Sequence, residues 1–368
     1  MLSDVVSVCK IELDGFGDRS VIGLLVFPSA VQGEASRATI NVHVTFYNLT
    51  CPESTHSMSN IAANSVIFTH PIAPIDKSSI VALRAHIEPH KGQLQGTAAR
   101  VPFDGIMERV PPASDVVYEP GNVGGISGWW CQPPNLRTEE AILYLHGGWY
   151  NWGTAKAYRN FVGQVAKRAG AVAFIPDYRL APENPFPAAV IDAESCYGGL
   201  LQHAARIAVV GDSAGGGLGL VLLSQVAQRG GIAPVAGVVL SPTTDLSLCS
   251  SSWETRSSAD AYFTRSQASA LVQSYLGTAD PRDPRASALF GTLAGLPPIR
   301  VNVGEDEMLL DDAIRYVERA AAAGVDARVH VWEGMLHVFP SSIGVLRAAD
   351  EALEQIGVFL ADRLHRGA

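Results

Sequence analysis

A chain of 368 residues that is 47% hydrophobic and only 17% charged can bury a large core, more than one small domain needs. A formal net charge of −9 without any run of like charges excludes a nucleic-acid surface, which requires a clustered basic face. The five cysteines (Cys9, Cys51, Cys131, Cys196, Cys249) form no C-x-x-C pair, so no zinc site is expected, and reduced, mostly buried thiols in a cytoplasmic protein are.

In chain order, residues 1–57 are rich in Val, Thr, Ser and Asn and lack any helix–strand alternation, which marks an appended extension. Within it, "VIGLLVF" (21–27) is short and has no basic segment before it, so it is a poor signal peptide. No apolar run in the chain reaches the roughly 18 residues of a membrane span. Residues 77–93 read as a helix capped by Ser78 or Ser79, and 94–125 as mostly irregular.

From Trp129 onward, short apolar runs at 141–146, 171–178, 206–212, 236–242, 299–306 and 327–334 are bounded by turn residues and separated by helical stretches. One of these, 155–169, places Ala155, Tyr158, Phe161, Val162, Val165, Ala166 and Ala169 at helical spacing and stops at Gly170. Uniformly apolar strands alternating with helices mean a mostly parallel sheet covered on both faces, a doubly wound α/β domain.

Two stretches carry chemistry. In "RIAVVGDSAGGGLGLVLLSQV", Gly211, Ser213 and Gly215 fit G-x-S-x-G where an apolar strand passes into a helix of small residues. Such a turn lifts a serine hydroxyl above the carboxyl edge of the sheet. The G-x-G-x-x-G alternative fails because Leu220 stands at the required last glycine. A nucleophilic serine needs a base and an orienting acid, in the order Ser, Asp or Glu, His. Of the later histidines, His330 sits inside a strand run and His365 close to the end, which leaves His337 in the loop "GMLHVFP". For the acid, "VNVGEDEMLLDD" offers Glu305, Asp306, Glu307, Asp311 and Asp312; Asp306, where strand gives way to helix, is the choice, with Glu305 or Asp311 as fallback.

The second stretch is "AILYLHGGWYNWG" (141–153), a buried strand running into two glycines and three large rings. Bare amides there can approach an oxyanion, so Gly147 and Gly148 are candidate donors together with Ala214. Trp149, Tyr150 and Trp152 then wall a dry substrate pocket.

With "HGGW", "DYRLAPENPFPAA", "GDSAGGG", "GEDEMLLDD" and "LHVF" in this order, the chain resembles the hormone-sensitive-lipase-like group of α/β-hydrolases, the bacterial family IV carboxylesterases. The resemblance spans about Ile80 to Leu364. It implies Ser213, Asp306 and His337 as triad, the three amides as oxyanion hole, and a helical cap over the pocket. The expected layout is therefore an extension at 1–57, a cap region at 58–115 starting at Met58, and an α/β-hydrolase domain at 116–368. The expected activity is hydrolysis of short-chain carboxylic esters through an acyl-enzyme, with no metal or organic cofactor and a small ester as the only substrate partner. A lactone or amide hydrolase would use the same residues, and a non-catalytic receptor is the alternative of a different class. The chain departs from the family at Trp149, where a third glycine is common, and at Glu307, where many members have Pro. A homodimer is also expected, mainly from the resemblance, paired along a sheet edge left by strand 327–334.

Overall fold

The computed structural model describes residues 66–134, 137 and 139–366, all within one compact unit, Ser57–Ala368. The expectations for 1–57 and for a cap starting at Met58 lie outside the described residues. The strands are β1 (Ile67–His70), β2 (Val117–Val123), β3 (Ile126–Gln132), β4 (Glu140–Leu145), β5 (Val172–Pro176), β6 (Arg206–Asp212), β7 (Ala236–Leu240), β8 (Ile299–Gly304) and β9 (Ala327–Trp332). The helices are α1 (Pro74–Ile87), α2 (Arg100–Met107), α3 (Ala155–Ala169), α4 (Ala188–Leu200), α5 (Ser213–Gln228), α6 (Ser252–Thr255), α7 (Arg265–Leu276), α8 (Leu310–Ala322) and α9 (Arg347–Leu364).

The strands form one nine-stranded sheet in the order β1-β9-β8-β7-β6-β4-β5-β3-β2. It is parallel except where β3 pairs with β5 and with β2. This is the α/β-hydrolase fold. Alternate residues of the central strands face opposite layers, as a pleated strand requires. Ala141, Leu143 and Leu145 join a core with α4, α5 and α8, while Ile142 and Tyr144 join one with α3 and α9. Helix α3 matches its sequence pattern end to end. Thr154 Oγ1 accepts the Ala157 N–H at 3.2 Å, and Gly170 closes the helix at φ 62°.

Four expectations fail. The first described helix starts at Pro74, whose missing N–H suits the first helical position, and not at Ser78 or Ser79. The stretch 94–125 carries α2 and β2. The outer side of β9, expected to be an open edge, is occupied by β1 in parallel register, Ile67 opposite Val329 and His70 opposite Trp332. Cys131 and Cys196 are buried free thiols, but Cys249 is not free, so the cysteines are not uniformly reduced. Among the described residues no helix is long and apolar enough to cross a membrane.

The topology places the site. From β4 the chain crosses to β5 on one side, then returns to β6 on the other, so the loops after β4 and β6 leave the sheet toward opposite faces. Such a reversal opens a crevice at the carboxyl ends of the strands. The loops after β7, β8 and β9 open on the same edge.

Candidate active site

Strand β6 ends at Asp212 and α5 begins at once, which forces Ser213 into the left-handed region at φ 52°. A non-glycine residue there stores of order 1–3 kcal/mol and persists only where the surroundings hold it. The bend also brings backbones too close for side chains. A Cβ on Gly215 would lie 2.1 Å from the Leu145 carbonyl oxygen and 2.2 Å from that of His146.

Across the crevice, His337 arrives on the loop after β9. Its Nε2 lies 3.0 Å from Ser213 Oγ and its Nδ1 2.7 Å from a carboxylate oxygen of Glu307. The carboxylate belongs to Glu307, not Asp306. Strand β8 stops at Gly304, and the next two amides are spent on the His337 loop: Glu305 N–H donates to Trp332 O and Asp306 N–H to Met335 O. That turn consumes two residues, so position 307 is the first to return over the sheet edge. Glu307 is completely buried, and its other oxygen accepts from Ser241 Oγ at 2.7 Å and from the Gly304 N–H at 2.5 Å. Ser241 in turn accepts the Val338 N–H at 3.0 Å, which ties the acid to the histidine loop. Asp306 pairs instead with Arg84. Of the fallback residues, Glu305 reaches Arg256 and the Gly334 N–H, and Asp311 accepts the Ser252 N–H.

Burial alone would lower the His337 pKa. The hydrogen bond and charge of Glu307, with the charges of Asp260 and Asp212, outweigh it and hold the imidazole above its ordinary value of 6.5.

The loop after β4 presses on the nucleophile: a Cβ on Gly147 would lie 2.3 Å from Asp212 Oδ2 and 3.1 Å from Ser213 Cβ. The expected trio of amides is not uniform. The Gly147 N–H donates to Asp212 Oδ1 at 3.0 Å, so it is committed elsewhere. The Gly147 carbonyl is held by His146 Nδ1 at 2.8 Å. Ala214 lies in the first helical turn, where an N–H has no partner four residues back. Among the described residues the Gly148 N–H meets no turn or loop carbonyl. Asp212 also accepts the hydroxyls of Tyr144 at 2.9 Å and Tyr158 at 3.1 Å, and burial pushes its carboxyl up to about 6.

All three predicted pocket rings are buried, but only Trp149 joins the aromatic group at His337. It meets Phe263 edge-on at 5.5 Å, and Phe263 stands edge-on to the His337 ring at 5.0 Å. Tyr150 stacks on Tyr275 at 3.9 Å, and Trp152 donates to the Gly96 carbonyl at 2.8 Å beside Phe103. Those two anchor the loop to α7 and to the segment before α2. Glu307 was among the candidate acids but was passed over for Asp306, and Ser241 and Asp212 were missed. The pairing of Glu307 needs the turn geometry, whereas Asp212 was legible as an acid buried between an apolar strand and the nucleophile.

A family model for the α/β hydrolase fold matches residues 142–341. An acetyl-hydrolase of Streptomyces hygroscopicus is 36% identical over 254 residues, 68% of this chain and 83% of that protein. The chain belongs to the hormone-sensitive-lipase-like α/β-hydrolases. An esterase of Acinetobacter venetianus is 31% identical over 74% of this chain and 90% of its own length. The crystal structure of an esterase from the bacterial hormone-sensitive lipase family superposes with a TM-score of 0.74 at 36% identity, covering 79% of this chain and 99% of that one. These relatives are named as an acetyl-hydrolase and as esterases, and the serine–histidine contact falls within the residues the family model matches.

Proposed function

We propose that the chain hydrolyses short-chain carboxylic esters through an acyl-enzyme on Ser213. The carrying observation is the relay from Ser213 Oγ through His337 to buried Glu307, at 3.0 and 2.7 Å. His337 Nε2 takes the serine proton as Oγ attacks the ester carbonyl, and returns it to the departing alcohol. A water activated by the same nitrogen then attacks the acyl-enzyme and frees Ser213. Glu307 holds the proton on Nδ1 and stabilises the imidazolium. The N–H groups of Gly148 and Ala214 serve the oxyanion, each worth about 2.7–4 kcal/mol in the transition state. Gly147 acts indirectly, its two polar groups fixing the peptide that carries the Gly148 N–H. Trp149 and Phe263 wall the pocket and favour short acyl groups, in keeping with the acetyl-hydrolase among the relatives.

The test is labelling of Ser213 by a fluorophosphonate, joined to a hydrolysis series over acyl length, lactones and amides. Absence of labelling counts for a receptor, and faster turnover of lactones or amides replaces the ester reading.

Because His337 must be neutral to accept the serine proton, kcat/KM is expected to fall on acidification through an apparent pKa above 6.5. A pH profile whose acid limb lies below that value contradicts the arrangement.

The proposed layout keeps a boundary at Met58. Four fifths of this chain spans essentially the whole of a solved relative. A chain starting at Met58 retains β1 and is expected to fold and keep most of its esterase activity; an inactive or insoluble product moves the boundary. Homodimerisation belongs to the proposal too, through a surface other than the side of β9 that β1 covers. Light scattering at micromolar concentration that gives the monomer mass counts against it.

A further inference from the structure

Asp306 has no part in the relay, yet it is bound to a helix 222 residues earlier in the chain. Arg84, in the last turn of α1, donates from Nη2 to Asp306 Oδ2 at 2.5 Å. From Nη1 it donates to the Ala259 carbonyl at 2.8 Å and to Glu88 at 3.0 Å. Just beyond α1, Lys91 donates to the carbonyls of Ser257 at 2.7 Å and Asp260 at 2.5 Å. The buried Asp260 side chain accepts the Met308 N–H at 3.0 Å and, with its other oxygen, the N–H groups of Tyr262 and Phe263. Met308 follows Glu307, and Phe263 stands against His337. On the apolar side of α1, Ile80 packs in one cluster with Ala261, Met335, Leu336 and Phe339. Helix α1 thus grips the acid turn, the aromatic wall and the histidine loop together.

We infer that Arg84 is a positioning residue: its fork on Asp306 and the Ala259 carbonyl fixes the turn that presents Glu307 to His337, so that α1 and the orienting carboxylate are held as one unit. The inference rests on the proposed roles of Ser213, His337 and Glu307. A bare surface ion pair would contribute little. Here the two side chains are only 20% and 23% exposed, and the guanidinium also clamps a backbone carbonyl. The charges around His337 are Glu307, Asp260 and Asp212, with the nearly neutral pairs Arg84–Asp306 and Arg256–Glu305 beside the acid turn.

The experiment measures kcat, KM and the pH profile of p-nitrophenyl butyrate hydrolysis for the full chain and for Arg84→Gln, Arg84→Lys, Asp306→Asn and the Arg84→Gln/Asp306→Asn double variant. Arg84→Gln and Asp306→Asn are each expected to lose roughly tenfold in kcat with little change in KM, as a slightly displaced acid would cause. The double variant is expected to be no worse than either single one, because the pair acts as a unit. Arg84→Gln leaves Asp306 uncompensated and moves the acid limb up by a few tenths of a pH unit. Asp306→Asn leaves the guanidinium uncompensated and moves it down, and the double variant restores it. Arg84→Lys keeps the limb but loses part of kcat, since an ammonium cannot span both acceptors. Should Arg84→Gln not fold, Arg84→Lys and Asp306→Asn carry the same comparison. Unchanged kcat, additive losses or an unmoved limb overturns the inference alone. A parent chain that does not hydrolyse the ester overturns the site reading and this inference together.

Discussion

Replacing Ser213 with Ala is expected to reduce kcat on a short p-nitrophenyl ester to background, a loss on the order of 10⁶-fold where a serine protease loses its nucleophile. The fold should survive. The hydroxyl's described hydrogen bond is to His337 alone, and alanine tolerates the tight space at the elbow as well as serine does. Near-parental circular dichroism and unfolding midpoint, with no fluorophosphonate labelling, are the measurements that check it. Retained turnover removes Ser213 from the chemistry.

The second large effect separates two neighbouring carboxylates. Glu307→Gln is expected to cost about 10⁴-fold in kcat, by analogy with the serine-protease aspartate. The reason lies in the donors around it. The Gly304 N–H and the Ser241 hydroxyl both point at one oxygen, so glutamine must place its carbonyl there and turn its NH₂ toward His337 Nδ1. Nδ1 then has to accept, the ring proton moves to Nε2, and the histidine can no longer take a proton from Ser213. Turning the amide over fails too, because it would set NH₂ against two donors. Asp306→Asn and Asp311→Asn keep the Glu307 carboxylate and the histidine tautomer it sets, and should be at least a hundredfold milder. Equal losses at 306 and 307 would show that the distance of 2.7 Å at His337 does not define the acid.

Much of this was legible because it is written in short-range pattern. The apolar runs that became β4 to β9 are bounded by turn residues, and the glycines around Ser213 are where backbones nearly touch. His337 followed from chain order and from its place beyond a strand. The carboxylate that meets His337 lies one residue beyond the chosen Asp306 because a two-residue turn, fixed by the last carbonyl of β9 and by one of the loop after it, decides which side chain returns over the sheet. Nothing local in "GEDE" records Trp332 O or Met335 O as acceptors. The Gly147 amide was assigned to the oxyanion because a glycine pair signals close approach, not direction. Strand β1 was invisible for a different reason. It is four residues long, with Phe68 and Thr69 exposed between half-buried ends, and its partner lies some 260 residues away.

That short strand has a bearing on how the molecule behaves in solution. Strand β9, "ARVHVW", combines valines and a tryptophan with a backbone that would otherwise offer unpaired N–H and C=O groups, the features that let sheets from separate molecules join. In place, β1 takes up that backbone, and the Val329 N–H donates to the Val66 carbonyl at 2.8 Å. His70 adds a stack on Trp332 at 4.0 Å. A chain cut after His70 would keep every residue of the Ser213–His337–Glu307 relay and still present a sticky β9 to its neighbours. Its failure would be read as lost activity when the cause is aggregation through β9.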